Sequence, residues 1–164
     1  MRFRVVGQFS HKFNNINYAT IGVTGGTKTA QFNGAEPITK LVNSISSLFF
    51  KDNYMKLYNL EYAQVNYSQD VLNGVNLFGK VAYEQRKALF NTTDYSFFKR
   101  DDLYSSNNPL APNDFATAPF EQHHLFKVGL NARINFGNKY ISRPDGRYNF
   151  KDDKYPTVVL GFEK

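Results

Sequence analysis

The residues of this sequence that are best suited to chemistry are a histidine pair and a group of aspartates. His123 and His124 could bind a metal ion, but adjacent residues of a strand point to opposite faces and do not converge on one ion. Asp101, Asp102 and Asp114 offer the oxygen ligands that calcium prefers, but their spacing does not match a calcium-binding loop. We therefore predict no metal site and no cofactor.

One further carboxylate, Glu84, could act as a general base, since alternation places it on the same strand face as Lys80 and Arg86. The sequence has no nucleophile elbow, no phosphate-binding loop and no zinc-protease histidine pair. We therefore predict that the protein is not an enzyme and has no catalytic residues. The three charged side chains are better explained as the lining of a wet interior.

The elements that must position these side chains are long strands. In the stretch LFKVGLNARINFG, which begins at Leu125, apolar residues alternate with polar or small ones over about 40 Å of extended chain. Strands of soluble domains usually extend only about 17–20 Å. Similar alternation begins near residues 3, 18, 62, 75 and 158. The sequence thus predicts an all-β fold, an antiparallel meander of about six strands.

The segments between the strands predict one helix and several connections. Apolar residues of PITKLVNSISSLFF recur at helical spacing, which predicts a short amphipathic helix over 37–50 with Pro37 in its first turn. We expect this helix to pack against a barrel wall or rim, and a membrane-surface or partner-binding helix is the alternative. The tripeptide SQD at 68–70 and the segment RPDGR predict turns, and residues 90–121 predict a long polar loop.

Composition limits the protein classes to which these strands could belong. Hydrophobic residues make up 41% of the chain, yet the mean hydropathy is −0.50, so apolar and polar residues are interleaved. The formal charge of +6 is scattered along strands and loops, which argues against a nucleic-acid partner. No run of about 18 apolar residues is present, and this excludes a transmembrane helix. The chain has no cysteine, which excludes disulfides and thiolate metal sites.

Four stretches of the chain, NYMKLY, LFNTTDYSFF, KYISRP and KYPTVVLGFEK, resemble a Bacteroidota family of outer-membrane β-barrel proteins of unknown function. The resemblance extends from about residue 18 to the end of the sequence. Members of that family carry an N-terminal carboxypeptidase-regulatory-like domain before the barrel. The resemblance implies location and architecture rather than an activity.

On this basis we expect residues 1–164 to form a single partial β-barrel domain, an interior fragment without the signal peptide, the regulatory-like domain and the remaining strands. Closed bacterial barrels have about 8 or more strands, and an open sheet edge in lipid leaves backbone groups unsatisfied. The expected location is the cell outer membrane. The expected partners are outer-membrane lipid and the barrel-assembly machinery, with no nucleic acid and no identifiable small-molecule ligand.

The barrel interpretation assigns a direction to each strand face. The residues expected to face the lumen are Lys80, Glu84, Arg86, Lys127 and Arg133. The residues expected to face lipid are Val75, Leu77, Val81, Phe126, Val128, Leu130, Ile134 and Phe136. The role would be structural, a passage, or the display of surface loops.

Two alternative functions remain open at this point. One is a soluble β-barrel or sandwich that binds a small apolar ligand in its interior, which requires the apolar strand faces to point inward. The other is part of a TonB-dependent transporter barrel.

Overall fold

The computed structural model of the chain describes residues 4–34, 38–150 and 154–164. The elements, in chain order, are β1 (Val5–Lys12), β2 (Thr20–Gln31), α1 (Lys40–Phe50), β3 (Leu57–Leu72), β4 (Val75–Ala88), β5 (His123–Asn135), β6 (Lys139–Arg143), β7 (Gly146–Phe150) and β8 (Thr157–Glu163). Six strands form one sheet in the order β1-β2-β3-β4-β5-β8, and β6 pairs with β7 as a separate hairpin. The predicted antiparallel all-β meander is therefore confirmed.

Each of the six strands predicted from alternation is a strand of the main sheet, in the predicted order. The first predicted strand starts at Val5 in the structure, while Phe3 lies outside the described residues. Several strands are long: β3 has 16 residues, β4 has 14 and β5 has 13. A transmembrane β-strand needs only about 9–11 residues, so these lengths exceed that requirement.

The turn predicted at SQD is wrong, because β3 continues through Ser68 and Asp70 to Leu72. The chain reverses instead at Asn73-Gly74, where Gly74 adopts a φ of 77° that glycine tolerates without steric cost. Ser68 and Asp70 lie on the polar face of β3, where both accept hydrogen bonds from Asn76 Nδ2. Polar residues of a strand face were thus mistaken for a turn.

The other predicted connections agree with the structure. Residues 89–122 contain no helix or strand, which confirms the long loop. The RPDGR segment turns as predicted, but it joins β6 and β7, two strands in a region that the sequence predicted to be a loop. The predicted helix begins at Lys40 rather than at residue 37, because Thr39 caps it by accepting a hydrogen bond from the backbone N–H of Val42. Pro37 lies outside the described residues.

The chain divides into two compact units. Within the described residues, one unit combines Thr27–Glu61 with Gln85–His124 and holds α1 and the long loop; we call it the helix–loop unit. The other combines Val5–Gly26, Tyr62–Glu84 and Leu125–Lys164 and holds most of the sheet; we call it the sheet unit.

The pairing of β5 with β8 shows how the sheet unit sorts its side chains. Leu130 pairs with Phe162 and Ile134 pairs with Val158, and because these positions are even-numbered they lie on one face. Gly129 pairs with Glu163 on the other face, to which Arg133 also belongs. The register therefore separates an apolar face from a polar one.

The Asn73-Gly74 turn supports a test of the fold. The substitution Gly74→Ala would set a Cβ against the backbone carbonyl oxygen of Asn135 and would strain the positive φ, so we expect it to lower the free energy of unfolding by about 1–3 kcal/mol. Urea unfolding followed by far-UV circular dichroism measures the change. The matched control is Gly34→Ala, since a Cβ at Gly34 meets no heavy atom of the described residues within 4 Å. Equal stabilities of the two variants would contradict the turn geometry.

Candidate functional site

The polar face of the sheet unit carries charged residues in opposite-sign pairs. Lys127 Nζ lies 3.0 Å from Glu84 Oε1, and both side chains are largely shielded, at 29% and 14% exposure. Lys80 Nζ lies 3.6 Å from Glu163 Oε1. The barrel interpretation predicts Lys80, Glu84 and Lys127 on one face, and in the structure all three form ion pairs there. Such pairing lets charged side chains share a half-buried face, because each charge has a neighbour of opposite sign.

The end of this face near the Asn73-Gly74 turn forms a polar cavity of about 320 Å³. Its lining residues are Asp70, Gly74, Asn76, Arg133, Asn135, Asn138 and Asn149. The β6–β7 hairpin contributes to this wall, because Asn149 Nδ2 donates to Asp70 Oδ2 at 3.1 Å and Arg147 forms an ion pair with the same oxygen at 3.4 Å. A guanidinium beside several amides is an arrangement that can bind a carboxylate or the hydroxyl groups of a polar solute.

Of the residues that line this cavity, the sequence predicted Arg133 as a site residue and did not predict Asp70. Its partners Arg147 and Asn149 lie 77 and 79 residues away in the chain, so no local pattern links them. The Asn-Gly dipeptide at 73–74 was the available signal, because it is a strong hairpin turn and would have extended β3 past Asp70.

Arg86 has a different environment from the other residues predicted to line the lumen. It belongs to the helix–loop unit, where its guanidinium carbon lies 5.4 Å from the centre of the Tyr58 ring. Tyr58 also contacts Phe120 edge to face, with ring centres 6.0 Å apart. The guanidinium of Arg86 therefore makes a cation–π contact with an aromatic cluster of the helix–loop unit.

The apolar face of the sheet unit is the more exposed one. Among the residues predicted to face lipid, Leu77, Val81, Phe126 and Leu130 are exposed, with Leu130 at 60%, and Val75, Val128 and Ile134 are half-buried. Phe136 lies in the turn just beyond β5 and is exposed. A groove of about 530 Å³ crosses this face around Gly79, with Leu77, Leu130 and Phe162 in its walls. The sheet thus turns large apolar side chains outward.

The helix–loop unit is ordered by buried polar side chains rather than by an apolar core. The side chain of Lys51 is 2% exposed, and its ammonium donates to the backbone carbonyls of Arg100 and Asp102 and pairs with Asp94 at 3.1 Å. Asn107 joins the loop to the start of β3 and to the residue that follows β4, accepting from the Leu57 N–H and donating to the carbonyls of Leu57 and Leu89. Among the described residues, every buried side-chain nitrogen or oxygen has a hydrogen-bond partner.

Burial also shifts the pKa of two side chains in this unit, Tyr104 and Lys56. Burial raises the pKa of the Tyr104 phenol, with nearby Lys51 opposing the shift and Asp94 adding to it. The phenol oxygen lies 2.7 Å from the Ser47 carbonyl oxygen and 2.8 Å from that of Tyr95. Burial lowers the pKa of Lys56, whose ammonium donates to Ser105 Oγ and to the Ser106 carbonyl. These groups hold the loop in place.

A second cavity, of about 360 Å³, lies within the helix–loop unit. Its lining mixes apolar side chains such as Met55 and Phe90 with Asn91, Tyr104 and Asn107. Asn91 and Asn107 both use their amide nitrogens on backbone carbonyls, and Tyr104 is held by the helix. The amide nitrogens of Asn91 and Asn107 and the hydroxyl of Tyr104 are therefore committed to the fold.

The histidines and loop aspartates do not meet in the structure. The His123 ring lies 5.2 Å from the Phe120 ring, whereas His124 Nε2 lies 3.4 Å from the amide of Gln85. Asp114 accepts hydrogen bonds from Thr117 and Ala116, which hold its pKa below the usual value. In residues 4–34, 38–150 and 154–164, no group of three or more His, Asp or Glu side chains is arranged to hold a metal ion.

Comparison with models of protein families matches residues 1–164 to the "Family of unknown function (DUF5686) C-terminal domain". The chain belongs to this family. No curated protein and no solved structure gives a significant match to the DUF5686 domain described here. The match confirms a family of unknown function. In the described part of this domain, no helix is long and apolar enough to cross a membrane.

Lys51 supports a test of how the long loop of the DUF5686 domain is held. The substitution Lys51→Met removes a buried ammonium that donates to the carbonyls of Arg100 and Asp102 and pairs with Asp94, so we expect it to lower the free energy of unfolding by about 2–4 kcal/mol. Urea unfolding gives the stability, and hydrogen exchange over residues 94–104 reports local opening. The control is Lys99→Met, since Lys99 is exposed and also has a positive φ. Equal losses in both variants would contradict a role of Lys51 in ordering the loop.

The Glu84–Lys127 pair supports a second test, by a double-mutant cycle with Glu84→Gln and Lys127→Met. We expect a coupling free energy of about 0.5–1 kcal/mol that decreases as salt is added. The same cycle on Lys80 and Glu163, which are farther apart and more exposed, should give a smaller coupling. A larger coupling for Lys80 and Glu163 would be inconsistent with the described geometry.

Proposed function

We propose that this DUF5686 domain forms part of the wall of an integral outer-membrane β-barrel. The observation that carries the proposal is the inverted polarity of β3 and β4 within the sheet unit, where the exposed residues are apolar or aromatic and the polar residues between them are half-buried. On β5 the charged Lys127 is likewise half-buried, whereas Asn131 and Arg133 are exposed. A soluble sheet normally does the reverse, because its apolar face packs on a core and its polar face meets water. In a membrane barrel, the apolar face of the wall contacts lipid on the outside, and the polar face contacts water in the lumen.

Two features of the strands add support. The strands β3, β4 and β5 are long enough to cross a bilayer even when tilted. The two ends of β4 also differ, since a two-residue turn precedes it and residues 89–122 follow it. Short turns on the periplasmic side and longer loops outside are typical of outer-membrane barrels.

Under this proposal, Lys80, Glu84, Lys127 and Arg133 line the lumen, and the exposed apolar residues of β4, β5 and β8 contact outer-membrane lipid. The matching family model describes a C-terminal domain. We propose that strands from elsewhere in the same protein complete the barrel wall. We further propose that it is the Bacteroidota outer-membrane family with an N-terminal regulatory-like domain, and that the barrel-assembly machinery inserts it. The role is structural, a passage for polar solutes, or support for the long loop.

The alternative of a soluble protein with an apolar ligand inside requires the apolar faces to point inward. Phe126, Leu130 and Phe162 instead expose 60% or more of their surface, which favours the membrane proposal. A TonB-dependent transporter barrel would have the same wall polarity. It is one kind of outer-membrane β-barrel and therefore falls within the proposal.

A pair of neighbouring cysteine variants tests the proposed direction of the sheet. The domain has no cysteine, so Leu130→Cys and Asn131→Cys each introduce one labelling site in the full-length protein, after removal of any cysteine elsewhere in it. Each variant carries an environment-sensitive fluorophore and is reconstituted in vesicles that contain nitroxide-labelled phospholipids. We expect strong quenching at Leu130 and weak quenching at Asn131, because adjacent strand residues face opposite sides.

The two sites control for each other, since they share one strand and one depth. Equal quenching at both positions would contradict the proposal. Recovery of the full-length protein from cells in the soluble fraction, without detergent, would also exclude it.

A further inference from the structure

The helix α1 has the opposite polarity to a helix of a soluble protein. Its six large apolar side chains are all exposed, between 37% and 71% of their surface, and none of its residues is buried. They are Leu41, Val42, Ile45, Leu48, Phe49 and Phe50. An ordinary surface helix would turn such a stripe toward the core.

The polar side of α1 faces the protein and is fixed there by hydrogen bonds. Asn43 Oδ1 accepts from the Met55 N–H at 2.8 Å, and Ser47 Oγ donates to the Asp52 carbonyl at 3.2 Å. The Ser47 carbonyl accepts from the Tyr104 hydroxyl. Rotation of the helix to bury its apolar side would break these bonds, so the outward direction of that side is built into the fold.

Aromatic residues of the long loop extend the apolar side of the helix. Phe97 and Phe98 stack near Phe49, with ring centres 5.4 Å and 6.0 Å away, and both rings are exposed. The Phe97 N–H donates to the Leu48 carbonyl at 2.7 Å, which fixes the loop to the helix. We call the six apolar residues of α1 together with Phe97 and Phe98 the apolar helix–loop surface.

Cationic residues next to this uncharged surface are compatible with a position between the lipid acyl chains and the headgroups. The residues of the apolar helix–loop surface carry no charge, and the exposed Lys99 and Arg100 follow Phe98 directly. Long cationic side chains next to apolar ones can reach lipid phosphates while the apolar residues enter the acyl region. The acidic Asp101 and Asp102 come next in the chain, so we attribute the affinity mainly to apolar contact.

We infer that the apolar helix–loop surface binds the membrane interface, with α1 lying along the bilayer plane and its apolar side among lipid acyl chains. The inference rests on the proposed membrane location. Lipid fits this surface better than a protein does, because its eight side chains offer no hydrogen-bonding group and protein interfaces normally include several hydrogen bonds. Helices with one strongly apolar side and neighbouring aromatic residues occupy this zone of membranes.

Fluorescence quenching at two neighbouring helix positions tests the inference. Ile45→Cys places the fluorophore on the apolar side, at a residue that is 47% exposed, and Ser46→Cys, the matched control, places it at the neighbouring half-buried position. The full-length protein is reconstituted with phospholipids that carry the nitroxide near the headgroup or deep in the acyl chain. We expect quenching several-fold stronger at Ile45 than at Ser46. At Ile45 we expect the nitroxide near the headgroup to quench more strongly than the nitroxide deep in the acyl chain. Leu41→Cys repeats the measurement at the most exposed residue of the helix.

The Leu130 site separates failure of this inference from failure of the proposed function. Quenching at Leu130 without quenching at Ile45 or Leu41 would overturn the inference alone. Absence of quenching at all three sites would overturn the membrane location and the inference with it. If Ile45 is unquenched and its cysteine crosslinks to a second copy or resists a water-soluble maleimide, a protein covers the surface and the inference is wrong.

Discussion

The structure depends on one constraint of the extended chain, that successive side chains of a strand project to opposite faces. In β5 this constraint sets Lys127 and Arg133 on one side and Phe126 and Leu130 on the other, and pairing with β8 continues both sets across the sheet. A shift of register by one residue would exchange the two faces and would place charges among apolar residues. The distribution of charge between the two faces therefore depends on both the alternation within each strand and the register of strand pairing.

The same inversion of polarity occurs in two elements that follow different periods. On the strands of the sheet unit the exposed apolar residues recur every second position, and on α1 they follow the helical spacing. Strand pairing fixes the first arrangement, and hydrogen bonds from Asn43 and to Ser47 fix the second. In both units large apolar side chains are thus exposed, while several polar side chains form hydrogen bonds or ion pairs within the unit.

The helix–loop unit shows how a long irregular segment can be ordered without a large apolar core. Lys51 and Asn107 reach backbone groups about 50 residues away, and each is almost fully buried. Because buried polar atoms are costly without partners, these networks specify one arrangement of the loop. The loop is thereby presented in a defined shape, whether its role is to cover a passage or to meet another molecule.

Sequence patterns predicted most of the fold and only part of the site. The six strands of the main sheet, the helix and the long loop followed from periodicity or from its absence, and β6 and β7 were not predicted. Alternation placed Lys80 and Glu84 on one face of β4, and the structure adds Lys127 of β5 to that face through its ion pair with Glu84. The wrong turn at Ser68–Asp70 arose because polar residues on a strand face resemble a turn when the face that they occupy is unknown. The cavity around Asp70 and the buried Lys51 gave no local signal, since their partners are distant in the chain.

The sequence by itself determined which residues share a face, because that depends only on the period of each element. It also determined that the chain would be rich in long strands. Only the tertiary structure decided which face is shielded, since the same alternation fits an apolar interior or an apolar exterior. It likewise decided that α1 turns its polar side to the protein, because that direction depends on hydrogen bonds with Met55, Asp52 and Tyr104 that no periodicity encodes.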